Sequence, residues 1–485
     1  MPQPQRLGSH GSRFSRQDQA TLMTTVSTTT RYAPAKRFFW QDSFCLLLFM
    51  LLFGIMASNF EIGGLAKFLE KIRWGLLGIA ALAGLKYVPD GLRQGMTQAH
   101  KALLALIILG LASCVYSIMP WYSFQRLMSF VMLWVALFLG AWGWLSRPGN
   151  LKLGLGLLYG LLWVTSLIGA YDILTAGGFS ADSRAEGAFN RATSAGTFAA
   201  VALPIILWKI RYSQGIFRTA AIGLFGIQGY ILVFSSARGA LVAGTISLFA
   251  VVWTNYRRYG PMLTGGLAFI GVMLLAINGL KILPKRIVRS ESLGTLTGRT
   301  DRWYAGWRVY QKSPLLGYGH GVERFCIGMD RDAVDVFYKL TGGNRRATRM
   351  RQALENRLWV EETVHSEYLA RLLEEGVLGL VCFLWFWASI LWGMVRATTR
   401  PNNPLADLVR CLYAAVWVIF VDSFLHSWMF AVGFGLNPVL WYVIALTLAA
   451  DWQLMRYERR MAGLSHTQKT PASRPLVPAG AGMPL

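Results

Sequence analysis

The stretch LGLGLLYGLLWVTSLIGAYDIL, residues 153–174, decides the fold class of this chain. It carries a single charge, Asp172, in a run long enough to cross about 30 Å of hydrocarbon at about 1.5 Å per residue. No water is present at that depth to satisfy backbone N–H and C=O groups, so such a run must close its hydrogen bonds within itself, as a helix. Phe44 to Met56, Ala102 to Ile118 and Pro261 to Leu280 repeat the pattern. Apolar residues make up 54% of the chain against 15% charged, and they are gathered into blocks instead of lying at amphipathic spacing. That composition excludes a soluble core and predicts an all-α polytopic membrane protein.

About twelve spans can be drawn by length, centred near Leu48, Leu82, Ile107, Trp134, Leu161, Ala200, Phe225, Ile246, Ala268, Cys382, Val416 and Ile444. Alternate connections collect the cations: Lys86, Arg93 and Lys101, then Arg147 and Lys152, Lys209, Arg211 and Arg218, Arg257 and Arg258, Arg396 and Arg400, and Arg456, Arg459 and Arg460. Arg31, Lys36 and Arg37 before the first span fall on the same side, which the positive-inside rule makes cytoplasmic; Lys67, Lys71 and Arg73 run against it. Orientation accounts for most of the net charge of +24, so nucleic acid is not an expected partner. No Ala-x-Ala cleavage pattern follows the basic start, which reads as a retained first span. The five cysteines show neither a disulfide framework nor zinc spacing.

The resulting map has a cytoplasmic segment, 1–40; helices over 41–280 interrupted by a small outer loop, 176–191; a large outer loop, 281–372; three further helices over 373–455; and a disordered cytoplasmic tail, 456–485. Both termini are expected inside. Long loops translocate regardless of charge, so the functional surface is expected on the outer face.

Several outer residues carry possible chemistry. Arg299, Trp303, Trp307 and Tyr310 recur at helical spacing ahead of Pro314, Gly317, Gly319 and Gly321, which fits an interfacial helix or a plain aromatic belt. Arg345, Arg346, Arg349 and Arg351 form either a solvated helix face or a receiver of phosphate groups. Arg238 occupies a connection so short that it lies at the apolar boundary, where a cation is costly unless it is paired or functional; Arg184 and Arg191 stand similarly before a span, with Asp182 and Glu186 as alternative partners. His365 precedes the apolar run through Leu380 and is expected on a helix that continues into the membrane, where a neutral imidazole could take a proton from a sugar hydroxyl. Asp330, Asp332 and Asp335 lie among arginines and make a poor metal site.

Four pieces together resemble the O-antigen ligase and polymerase superfamily, most closely the lipopolysaccharide O-antigen ligase. They are Arg-x-x-Gly-x-Phe-Asn at Arg184 to Asn190, Ser-x-Arg-Gly-Ala-Leu ending at Leu241, the run from Gly298 through Pro314 to Gly321, and the His-Ser segment from His365 to Leu380. The resemblance implies a GT-C-like glycosyltransferase of the inner membrane, working on the periplasmic face. It implies transfer of polysaccharide from an undecaprenyl-pyrophosphate-linked O-antigen donor to a sugar hydroxyl of the lipid A core. His365 would be the catalytic histidine, and Arg238 with Arg191 or Arg184 would hold the pyrophosphate. Arg299, Trp303, Arg345, Arg346 and Arg349 would contact the acceptor or membrane lipid. The reaction is expected to invert the anomeric centre with no cofactor and no metal, because guanidinium groups can receive the developing phosphate charge. An O-antigen polymerase and a protein O-oligosaccharyltransferase remain open, as does a polysaccharide flippase, against which the scarcity of charge within the spans counts; Asp422 and His426 are the main exceptions.

Overall fold

A computed structural model describes residues 39–58, 63–175, 189, 191–235, 237–254, 299–356, 360–400, 403–432 and 435–468. Every regular element among them is helical. The first part runs through α1 (Ser43–Ala57), α2 (Gly63–Leu85), a short turn of helix at Val88–Arg93, α3 (Gln98–Tyr116), α4 (Pro120–Leu133) and α5 (Asn150–Thr175). Next come α6 (Ala192–Tyr212), α7 (Gly215–Phe234) and α8 (Arg238–Thr254). A group of shorter helices follows: α9 (Arg299–Tyr310), α10 (Glu323–Met329), α11 (Arg331–Leu340) and α12 (Arg345–Glu355). The chain then returns to long helices with α13 (Glu367–Thr398), α14 (Pro404–Ser423) and α15 (Asn437–Gln468).

Eight of these segments are long and apolar enough to span: α3, α4 continued to Leu145, α5, α6, α7, α13, α14 and α15 through Met461. The protein is thus a multi-pass membrane protein. Of the twelve expected centres, Leu48 and Ile246 fall in shorter apolar helices, Leu82 falls in α2, which is not among the eight, and Ala268 lies outside the described residues. The expected loop boundaries at 176–191 and at 281 fall largely outside them too.

Helices pack in a bilayer by close backbone approach, since lipid is as apolar as leucine. Between α2 and the π-turn at Trp134–Gly140 that approach needs glycine on both sides, because a Cβ on Gly140 would stand 2.7 Å from the Cα of Gly84. The last turns of α6 and α13, which carry Arg211 and Arg396, both meet the start of α14: Arg211 faces Asp407 at 3.8 Å, and Arg410 donates to Ala397 O at 3.0 Å.

The short helices form a separate apolar unit against the first turns of α13. Its core includes Val309, Phe325, Ile327, Val334, Phe337 and Met350, with Val364, Leu369 and Leu373 from the α13 side. Trp303 and Tyr310 pack onto this core while Trp307 and Tyr304 are exposed, so the aromatics of α9 do not share one face. Cys326 is buried there too.

The two glycine-rich motifs meet in one joint. Gly376 breaks α13 with φ 67° and ψ −157°, and a Cβ there would lie 2.2 Å from the carbonyl oxygen of Leu315. The backbone groups freed by the break find partners in the Pro314 to Gly319 turn. Val377 N–H donates to Pro314 O at 2.9 Å, while Tyr318 and Gly319 donate to Leu373 O and Glu374 O, each at 2.8 Å. A buried break in a helix must be re-satisfied in this way.

Candidate functional site

The irregular segment 360–366 leads into α13 and carries His365. The imidazole does not ride on the helix as expected: Ser366 is the N-cap, and His365 stands before it with φ 51°. A non-glycine residue in the left-handed region costs free energy that the surroundings must offset. Fixed contacts do so. Glu362, fully buried, donates its N–H to Arg324 O at 2.6 Å, and its carboxylate binds the Nε of both Arg302 and Arg346. Thr363 Oγ1 lies 3.1 Å from His365 Nε2.

Four basic groups surround that half-buried imidazole. Burial pushes its pKa down to about 3, aided by the charges of Arg302, Arg299 and Arg346, so the ring is neutral at neutral pH. Arg299, the first residue of α9, points one NH2 at His426 Nε2, 3.1 Å away. His426 Nδ1 is 3.0 Å from Asp422 Oδ1. The same carboxylate accepts from Trp428 Nε1 at 2.9 Å and from Thr197 Oγ1, on α6, at 3.0 Å. A carboxylate only accepts, so Nδ1 carries the ring proton and Nε2 is left as the acceptor for Arg299.

The arginine helix starts converge on this end of the bundle. Arg191 is the exposed N-cap of α6, and Arg238, half-buried, opens α8. A Cβ on Gly196 of α6 would meet Ser235 Oγ at 2.5 Å and Ala237 Cβ at 2.7 Å, which locks the two starts side by side. A Cβ on Gly239 would meet Leu425 Cδ1 at 2.2 Å, so the α8 start also abuts the Asp422 to His426 turn. Arg184 lies outside the described residues. On α12, Arg345 and Arg349 are exposed, Arg346 is bound to Glu362, and Arg351 faces Asp335 at 3.6 Å over the ring of Tyr338. Asp330 and Asp332 both take Lys312 Nζ, at 2.6 Å.

Beneath the site lies a buried ionic nest. Arg371 reaches Glu367 at 3.3 Å, Glu374 at 2.5 Å and Glu375 at 3.1 Å, and its guanidinium lies 4.2 Å from the Phe430 ring centre. His320 Nδ1 is 2.6 Å from Glu375 Oε1. His320, Glu374 and Glu375 present possible metal-ligand atoms within 4.8 Å of one another. The guanidinium of Arg371 already lies against both carboxylates, so the cation of this nest is an arginine.

Residues 223–384 match a family model described as O-antigen ligase. That part of the chain is similar to the O-antigen ligase and polymerase superfamily. A comparison with curated proteins finds no match. The matched region runs from within α7 into α13, and so contains Arg238, α9 to α12, His365 and the joint at Gly376. Arg191 precedes it, and Asp422 and His426 follow it.

Sequence reading did not single out Arg302, Glu362, Glu323 or Arg371, and took Asp422 and His426 as span residues. Two signals were present: Asp422 and His426 at helical i, i+4 spacing, and Glu367, Arg371, Glu374 and Glu375 at i, i+3 and i, i+4 spacing in a segment about to enter the membrane.

Proposed function

We propose that this chain is an O-antigen ligase, transferring polysaccharide from an undecaprenyl-pyrophosphate-linked donor to a sugar hydroxyl of the lipid A core on the periplasmic face of the inner membrane. One observation carries the reading: a neutral, half-buried imidazole stands among Arg299, Arg302, Arg346 and His426 at the end of the bundle where Arg191 and Arg238 begin their helices. A sugar joined to pyrophosphate has a good leaving group, so what the reaction lacks is a base for the attacking hydroxyl and positive charge for the departing diphosphate.

His365 takes the hydroxyl proton as the acceptor oxygen forms its bond to the anomeric carbon. The carbon–oxygen bond to the pyrophosphate breaks on the opposite face, inverting the centre, and the electron pair leaves on a diphosphate received by guanidinium groups. Arg238 and Arg191 are the donor contacts, with Arg184 as a further candidate; Arg299, Trp303, Arg345, Arg346 and Arg349 are the candidates for contacts to the acceptor or membrane lipid. Guanidinium forks match phosphate oxygens two at a time, which suits a metal-independent transfer.

The test is reconstitution in proteoliposomes with purified carrier-linked glycan, offering lipid A core or a second carrier-linked glycan as acceptor, without and with chelator. Product on lipid A core that persists in chelator supports the reading. Elongated carrier-linked glycan instead would make the chain a polymerase, and movement of glycan across the bilayer without transfer would make it a flippase.

A further inference from the structure

Glu323 opens α10 and is buried, with 7% exposure. Its Oε2 accepts the N–H of Val364, the residue before His365, at 3.2 Å. Its Oε1 accepts the hydroxyl of Ser427, the residue after His426, at 3.4 Å. One carboxyl group therefore touches both chain segments that carry the imidazoles of the site. Neither segment is in a helix, so side-chain contacts must set their register. A second tie runs parallel: Glu367 Oε2 accepts the N–H of Met429 at 3.0 Å.

We propose that Glu323 is the positioning residue of this site, holding the His365 segment in register with the His426 segment through the hydrogen bonds its carboxyl group accepts from both. The inference rests on the reading of His365 as the base. The groups that face Glu323 are Glu367, Arg371 and Glu374 from α13, Arg324 from α10, Arg126 from α4 and His320 from the turn before α10. Burial, and next the charge of Glu374, push its pKa from 4.5 up to about 8. Because the value in place is raised, the stabilisation this arrangement gains is full below about pH 4.5 and is lost as pH rises through about 8. Above that, a second charge shares the pocket with Glu374 and drives the carboxylates apart.

The full-length protein in proteoliposomes, with undecaprenyl-pyrophosphate-linked glycan and lipid A core, tests this. Glu323→Ala should lower kcat on the order of 10- to 100-fold, the scale of a misplacement near 1 Å, with the KM for donor little changed. Glu323→Gln, uncharged at every pH, should keep kcat near neutral pH and hold it above pH 8, where the wild type declines. Wild-type kcat in Glu323→Ala, or an alkaline decline in Glu323→Gln identical to that of the wild type, overturns the proposal. Should Glu323→Ala fail to insert, the Glu323→Gln pH profile decides. His365→Ala run in parallel separates the two readings: if it stays active, the base assignment falls, whereas if it is inactive while Glu323→Ala is unimpaired, only the positioning role falls.

Discussion

Asp422 lies 3.0 Å from His426 Nδ1, and this single contact fixes which nitrogen of that ring faces Arg299. Asp422→Asn keeps the size of the side chain but can offer an N–H in place of an acceptor. The ring then turns or switches tautomer, and Arg299 meets a donor. Activity should fall at least tenfold, since one charge-assisted hydrogen bond is worth about 1.5–3 kcal/mol. Membrane insertion and expression should be normal, and an unimpaired transfer rate would show that the aspartate does not act through His426.

The low pKa of His365 has a defined sign. Its value in place, about 3, is below the ordinary 6.5, so between those limits an unfolded chain binds a proton that the folded site refuses. Stability therefore declines as pH falls through that window, and kcat/KM should show no acid limb near pH 6.5. Bound diphosphate cancels part of the surrounding positive charge and raises the proton affinity of the ring. The acid limb of kcat should consequently lie at higher pH than that of kcat/KM. Coincident limbs in the two profiles would contradict the cationic field as the cause.

Gly376→Ala tests the joint. The residue holds φ 67° and faces the Leu315 carbonyl, so a methyl group adds strain of about 1–3 kcal/mol before any steric clash. Thermal unfolding in detergent should shift downward, and the Pro314 to Gly319 turn should become open to protease. An unchanged melting temperature would mean that the turn does not depend on the break.

Charge removal should separate the arginines by location. Arg238→Gln is expected to raise the KM for donor by about tenfold, the weight of roughly 1.4 kcal/mol of phosphate contact. Arg349→Gln, on an exposed face of α12 and assigned to the acceptor side, is expected to change the KM for donor by less than twofold, as exposed surface changes usually stay within about ±0.5 kcal/mol. Measured donor saturation curves decide this, and equal effects would dissolve the distinction between boundary and surface cations.

The sequence by itself determined the membrane class and the approximate place of most helices, because apolar runs such as residues 153–174 leave the backbone no other way to satisfy its polar groups in lipid. It also singled out His365, Arg238 and the pair Arg184 and Arg191, since ionisable groups at an apolar boundary are costly and few. Tertiary structure decided what stands beside them. His365 lies before α13 instead of on it because the Glu362, Arg302 and Arg346 contacts fix its segment, and those partners come from three separate stretches of chain. The joining of the glycine run after Pro314 to the break at Gly376, and of Glu323 to both Val364 and Ser427, depends likewise on hydrogen bonds between residues far apart in sequence. Local periodicity holds no record of such pairs; only closure of the fold, which must find a partner for every buried polar group, brings them together.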